Sequence, residues 1–290
     1  MKTQKTQDVL RRIEVEYSGL TKACKKVADY VLAHRTEVQY MSITALADEC
    51  SVADASVSRF CRCLGYDGYN SLKLAMAKLE NTAAAKEDPH VLDGEVTAAD
   101  SIQTMSRKLY TANLAALAQT IEEIDEKEIR SAVDILAAAK RVTCIGFGGS
   151  MVLAMEACAR FSTISNKFQH ISDSHMQAIA LSLAEPGDAV LFVSYSGTTK
   201  NVFDILEAAR NRGAKVILIT HFHRCPAIDY ADAVVLCGAR ETPLNVGSVA
   251  VKMGVLLLID ILFNEYFRRN PQQSAQNLET TAKLVSKKHL

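Results

Sequence analysis

Residues Ala189 to Asn201 read AVLFVSYSGTTKN, and this stretch decides the fold of the chain's second half. Val190 to Val193 form a continuous apolar run, too short for a free-standing helix and bounded by small polar residues. Such a run suits a strand buried on both faces of a parallel sheet. Ser194, Ser196, Gly197, Thr198 and Thr199 follow, four small hydroxyls and a glycine within six positions. Val202, Ile205, Leu206 and Ala209 then recur at i, i+3, i+4 and i+7, a helical spacing. The hydroxyl-rich turn therefore lies between a strand's carboxyl end and a helix's amino end. Unpaired N–H groups and the helix dipole favour an anion there, and Gly197 lets the backbone come close to it. An ordinary helix cap needs one hydroxyl and this turn has four, so the pattern predicts a phosphate site. Ser194-Tyr195-Ser196-Gly197-Thr198 lacks the leading glycine of a nucleophile elbow, which argues against a catalytic serine.

Strand and helix signals alternate on both sides of this stretch. Val142 to Gly146 reads as a strand and GFGGS, Gly146 to Ser150, as a glycine-rich turn before a helix from Met151 to Ile164. Phe168 to Ile171, Val216 to Thr220 and Ala233 to Leu236 read as further strands. Helices are expected near His175 to Leu183, Lys200 to Arg212 and Ser248 to Phe267. This alternation predicts an α/β doubly wound parallel sheet, with ligands held where the strands' carboxyl ends release their turns. GFGGS lacks the third glycine of a dinucleotide fingerprint, and no acidic residue closes the second strand, so a nicotinamide cofactor is not expected. Upstream, Ser101 to Thr120 is helical, and Asp125-x-x-Glu128 opens another helix as a capping-box variant with Ile129, Val133, Leu136 and Ala137 on its apolar face.

The first eighty residues have a different rhythm. Leu20, Cys24, Val27, Ala28 and Val31 follow helical spacing. Ser42 reads as the N-cap of a short helix burying Ile43, Leu46, Ala47 and Cys50. After Ser51-Val52, a further helix turns Val57, Phe60, Cys61 and Leu64 inward and Asp54, Ser56, Ser58, Arg59 and Arg62 outward. Two short helices on so tight a turn form an all-α helix-turn-helix, whose second helix fits a major groove. Arginines reach phosphates and guanine edges, and short hydroxyls permit close approach.

Composition narrows the classes. The chain has 290 residues, 33 Lys+Arg against 33 Asp+Glu, so no general attraction to nucleic acid or membrane follows. Residues 1–80 hold twelve Lys/Arg against ten Asp/Glu, an asymmetry too small to argue from alone. Eight cysteines sit in apolar patterns as buried thiols do, without paired zinc spacing. His221, His223 and Cys225 form H-x-H-x-C beyond a strand, but no fourth ligand is evident, and no metal is expected. The amino end is polar and charged rather than a signal peptide, and Val249 to Phe267 is interrupted by Lys252, Asp260, Asn264 and Glu265. A cytoplasmic protein with no membrane partner is expected. Glu80 to Asp100, with Pro89, Gly94 and alternating charge, reads as a linker. Domains are accordingly expected at 1–80 and 101–290, joined by 81–100.

The run SITALADECSVADASVSRFCRCLGYDGYNSLKLAMAKL resembles the amino-terminal domain of the RpiR/MurR family of bacterial transcriptional regulators. Ser42-Ile43, Leu46-Ala47, Val52, Ser58 to Arg62, Leu64-Gly65-Tyr66 and Gly68-Tyr69 carry the likeness. It implies binding of double-stranded operator DNA by a homo-oligomer, a dimer or tetramer. Two departures stand out: Ser51 holds the turn position usual for Gly, and Ala53 the place of the usual Ser or Thr cap. The second half is similar to the sugar isomerase (SIS) domain, which binds phosphorylated sugars, over about Ala132 to Phe267. Its motifs are Gly146-x-Gly148-x-Ser150, Ser172-Asp173-Ser174-His175, Pro186-Gly187-Asp188, Ser194-x-Ser196-Gly197-x-Thr199-x-Asn201, and Glu241 to Leu244 with Gly247-Ser248. The resemblance implies that Ser194, Ser196, Gly197, Thr198 and Thr199 cradle the phosphate. Gly148, Gly149 and Ser150 would meet the ligand from the other side, and Glu241 would reach the sugar hydroxyls. Asn245 stands where the family often has Arg.

Two functions compete on these grounds. One is a regulator of sugar or amino-sugar metabolism whose operator affinity obeys a bound sugar phosphate, with no catalytic residue and no cofactor. The other is a sugar-phosphate isomerase, whose base would have to be Glu241, His175 or Lys252. An isomerase leaves the DNA-reading module without purpose, and this favours the regulator.

Overall fold

The computed structural model describes residues 9–84, 96–238 and 248–287. The chain divides into two compact units, residues 1–112 with 240–248 and residues 113–239 with 249–290.

The described part of the first unit is helical: α1 (Val9–Glu16), α2 (Lys22–Ala33), α3 (Arg35–Val38), α4 (Ile43–Glu49), α5 (Asp54–Cys63) and α6 (Tyr69–Ala84). Val9, Ile13, Cys24, Val27, Val31, Leu46, Val57, Phe60 and Leu72 meet in one core. Each such side chain taken from water contributes about 1.5–3 kcal/mol. The caps are local: Thr21 accepts from the Cys24 amide at 3.3 Å and Ser42 from the Ala45 amide at 3.0 Å. Buried Tyr69 donates to the Val38 carbonyl at 2.8 Å, and burial raises its phenol well above the usual value. The sequence pattern misses α1, whose two core residues, Val9 and Ile13, are too few to register as periodic. Helix α6, for which the sequence pattern set no bounds, runs to Ala84, into the stretch read as linker. Residues 85–95, the middle of the expected linker, lie outside the described residues.

The long helix α7 (Ile102–Glu122) carries residues of both units and leads to α8 (Glu126–Ala138). The second unit then alternates β1 (Arg141–Gly146), α9 (Gly149–Ser162), β2 (Phe168–His170), α10 (Ser174–Ser182), β3 (Asp188–Val193), α11 (Lys200–Asn211), β4 (Lys215–Thr220) and β5 (Ala233–Leu236). It closes with α12 (Val249–Arg269) and α13 (Pro271–Ser286). All pairings are parallel and the strand order is β2-β1-β3-β4-β5. Side chains of β3 alternate between two cores, as the pleat requires. Ala189, Leu191 and Val193 join α8, α9 and α12, while Val190 and Phe192 join α10 and α11. Phe161 anchors the first layer, stacked on Phe168 at 4.5 Å and edge-on to Phe263 at 5.5 Å.

Three expectations are corrected here, and one helix is added. Ala137 is exposed and Ala132 is fully buried, because Ile129, Ala132, Val133 and Leu136 are the set that share one face of α8. Glu128 does not complete a capping box; Asp125 alone caps α8, and Glu128 reaches across to accept from the Val234 amide at 2.7 Å. Cys63 is exposed, since it lies two residues from buried Cys61 on the opposite side of α5. Finally α13 escapes sequence reading because only Ser274 is buried in it; polar bonds hold it, from Asn277 to the Ile164 carbonyl and Thr281 to the Thr163 carbonyl.

Candidate effector and DNA-binding sites

In the second unit the strand order reverses between β1 and β3, the place where doubly wound sheets open a crevice beyond their carboxyl ends. Gly146 and Val193 are register partners, so the turns that leave β1 and β3 start side by side. The first turn is short. Gly148, at φ +55°, is the N-cap of α9, and Gly149 and Ser150 already belong to that helix. A side chain on Gly146 would meet the Ser150 carbonyl oxygen at 2.6 Å, which is why glycine stands there. Gly148 and Gly149 are exposed and Ser150 is half-buried. Lys252 of α12 brings its Cε to 3.8 Å from where a side chain on Gly149 would begin. A cation thus lies beside the amino end of α9, a juxtaposition across about a hundred residues that no spacing announces.

The second turn is built by its own hydroxyls. Ser194 is buried and accepts from the Gly197 amide at 3.2 Å, so this hydroxyl shapes the loop instead of facing outward. Ser196 accepts from the Thr198 hydroxyl at 2.9 Å, and Ser196, Thr198 and Thr199 are half-buried at the mouth. Thr199 is the N-cap of α11 but makes no side-chain cap bond, so its hydroxyl can turn to a ligand. The amides of Ser196, Thr199 and Lys200 have no backbone acceptor among the described residues. Glu241 and Asn245, the expected sugar contact and the departure beside it, lie outside the described residues.

Neighbouring candidates part company. The His221 ring stacks on Tyr195 at 5.0 Å and its Nδ1 meets the Cys237 carbonyl at 2.7 Å. His223 pairs with Glu123 at 2.9 Å, and Cys225 is buried, its thiol pushed up by that burial. No set of three His, Cys, Asp or Glu side chains fit to hold a metal occurs among the described residues. His175 is exposed, while His170 holds the Cys144 carbonyl through Nδ1 at 2.9 Å.

In the first unit, Ser51 joins α4 to α5 at φ +51°. Its amide reaches the Asp48 carbonyl at 2.8 Å and the Val52 amide the Ala47 carbonyl at 2.9 Å, a Schellman closure that normally takes glycine. Ala53 is the N-cap of α5 and offers no side-chain bond. Arg59 and Arg62 are exposed on α5, and Ser58 beside them is half-buried. Asp54 is differently engaged, accepting from the Thr44 hydroxyl at 3.1 Å and so tying α5 to α4. Ser56 is half-buried at the first turn of α5, and its carbonyl accepts from the Cys24 thiol at 3.9 Å. The outward set of the sequence reading therefore separates into arginines that face solvent and an aspartate that braces the turn.

A helix-turn-helix unit and a flavodoxin-like sheet with an anion-favouring crevice define a ligand-responsive DNA-binding protein. Residues 7–82 match the helix-turn-helix domain of the rpiR family and residues 135–265 the SIS domain. An HTH-type transcriptional regulator of Caldanaerobacter subterraneus subsp. tengcongensis is 30% identical over 279 residues, 96% of this chain and 97% of that one. The HTH-type transcriptional regulator HexR of Escherichia coli is 28% identical over 272 residues, 94% of this chain and 92% of HexR. Among solved structures, the Vibrio vulnificus NanR protein complexed with ManNAc-6P superposes with a TM-score of 0.83 at 27% identity, covering 96% of this chain and 97% of NanR. The chain belongs to the RpiR family of HTH-type transcriptional regulators. No helix among the described residues is long and apolar enough to cross a membrane.

Proposed function

We propose that a phosphorylated sugar binds where the β1 and β3 turns open together, and that its binding sets the affinity of α5 for operator DNA. The observation that carries this reading is the register pairing of Gly146 with Val193, from which the turns leading to α9 and α11 leave the sheet at adjacent strand ends. Free amides at the start of α11, the hydroxyls of Ser196, Thr198 and Thr199, the backbone at Gly148, Gly149 and Ser150, and the Lys252 ammonium give a phosphate its donors. Ser194 and Gly197 act one step back, holding the loop in shape. The likeness to a protein complexed with ManNAc-6P supports a sugar or amino-sugar phosphate as the effector class. Arg59 and Arg62, with Ser58, contact duplex DNA, and Asp54 and Ser56 position the helix that carries them. Residues 1–80 are the DNA reader and 101–290 the sensor. The protein works in the cytoplasm, without catalysis or cofactor.

Exposed Val152 and Met155 on α9, and Met176, Ile179 and Leu183 on and just after α10, suit burial against a second copy, so a homodimer or homotetramer is the operative species.

The test uses the purified full chain. A sugar phosphate should raise its melting temperature and change its operator affinity, and Ser196→Ala should lose both responses while binding DNA as before. Replacing both Arg59 and Arg62 by Ala should weaken operator binding and lower the salt slope by about 1 for each phosphate left without its arginine. Turnover of the sugar phosphate to its isomer would replace this reading with an isomerase. Unaltered operator binding in the double variant would refute the placement of the DNA-reading face.

A further inference from the structure

The run His221-x-His223-x-Cys225, which the effector reading leaves without a task, reaches the β3 turn on one side and the end of α7 on the other. The Cys225 sulfur packs against Gly197, and the Ala227 amide donates to the Gly197 carbonyl at 3.1 Å. The Tyr195 carbonyl accepts from the His221 amide at 3.0 Å and from the Thr220 hydroxyl at 3.0 Å. The rings of Tyr195 and His221 stack at 5.0 Å with their planes 3° apart. At its edge the His221 ring meets the Cys237 carbonyl through Nδ1 at 2.7 Å; a carbonyl only accepts, so Nδ1 carries the proton. Cys237 and Gly238 are themselves buried against α7. The hydroxyl of fully buried Thr120 lies 3.8 Å from the Cys237 sulfur, and a side chain on Gly238 would meet the Gln119 carbonyl oxygen at 2.0 Å. His223 pairs with Glu123, the residue next after α7, at 2.9 Å. All of these residues belong to the second unit.

We propose that His221 is the positioning residue that carries effector occupancy from the β3 turn to α7, by way of Cys237 and Gly238. This role rests on that turn being the effector site. A phosphate that takes hydrogen bonds from Ser196 and the amides beside it favours one shape of the turn over another, and Tyr195 follows its neighbour. The His221 ring is held by its face to Tyr195 and by its edge to the Cys237 carbonyl, so it cannot follow one without drawing the other. Gly238 has no side chain to absorb the displacement, and its contact is with helix backbone, so close packing passes the shift to α7. That helix carries residues of both units, the DNA-reading one included. The pair of His223 with Glu123 is a lesser link, because both side chains are more than a third exposed and water screens them.

The experiment uses the full-length protein and, as probe, whichever hexose 6-phosphate or N-acetylhexosamine 6-phosphate raises its melting temperature most. Operator affinity is measured with and without that probe. His221→Phe keeps a ring to stack on Tyr195 but loses the Nδ1 donor. It should retain the melting shift and the probe-free operator affinity, while the probe-induced change in operator affinity shrinks about five-fold, the worth of one ordinary hydrogen bond. His221→Asn, with a donor near the Nδ1 position, should recover part of that change, and His223→Ala should reduce it by no more than about two-fold. In the wild type, hydrogen exchange should show the probe altering protection in residues 113–122 of α7 as well as in the β3 turn. Protection altered in the turn and unaltered in α7 would overturn the proposal, whether or not a variant folds. A full response in His221→Phe, or loss of its melting shift along with the response, would overturn it too and leave the effector reading standing. A wild type with neither a melting shift nor a change in operator affinity would sink the effector reading, and the role of His221 with it.

Discussion

Gly197 and Cys225 are packed so closely that a methyl group on the glycine would lie 2.1 Å from the cysteine sulfur. The glycine also sits at φ +58°, where an L side chain costs about 1–2 kcal/mol on backbone grounds alone. Gly197→Ala should therefore lower the melting temperature and abolish the thermal response to sugar phosphates. Adding Cys225→Ala to the same chain should recover part of the lost stability. Strictly additive losses in a double-mutant cycle would show that this contact does not shape the turn.

Ser51 carries a backbone strain in the left-handed region that glycine would not. Relief of about 1–2 kcal/mol is partly offset by the greater freedom of glycine in the unfolded chain. Ser51→Gly should stabilise the helix-turn-helix by about 0.5–1 kcal/mol in denaturant unfolding, with operator affinity unchanged. A loss of stability would place the strain elsewhere.

Glu128 satisfies the Val234 amide at the edge strand from a helix on one face of the sheet. Glu128→Ala leaves that donor without its partner and should cost about 1–3 kcal/mol. Glu128→Gln retains an acceptor oxygen and should cost less. Equal losses from the two variants, measured by chemical denaturation, would deny the hydrogen bond its role.

Acid should loosen the end of α12. Desolvation pushes Glu265 up, yet hydrogen bonds from Arg269 and Arg268 outweigh it and hold the carboxyl below its ordinary value. A depressed folded value means that the stabilisation is present above the ordinary carboxylate range and disappears as pH falls through the folded value. Unfolding followed from neutral to acid pH should show this limb, and Glu265→Gln should flatten it.

Strand β3 was legible because burial on both faces removes polar residues from its interior: Val190 to Val193 could hardly be anything else. The turn geometry of Ser51 was legible from one missing glycine. Less could be read where a residue acts across the fold. Asp125 and Glu128 have a capping box's spacing, yet the partner of Glu128 is a backbone amide 106 residues away. Lys252 gains meaning only beside Gly149. Helix α13 leaves no apolar periodicity because carbonyls at the end of α9, not a core, receive it. Among the candidate effector groups, sequence could name the hydroxyls of Ser194 and Ser196 but not distinguish the one that builds the loop from the one at its mouth.

The carboxylate on Val234 has a consequence for how copies of this protein meet. A short parallel edge such as β5 is where an intruding strand would add itself to the sheet, and backbone donors are what it would seize. With one donor of that edge already closed from within, an intruding strand would find less to pair with. Uncapping it would open a path to aggregation.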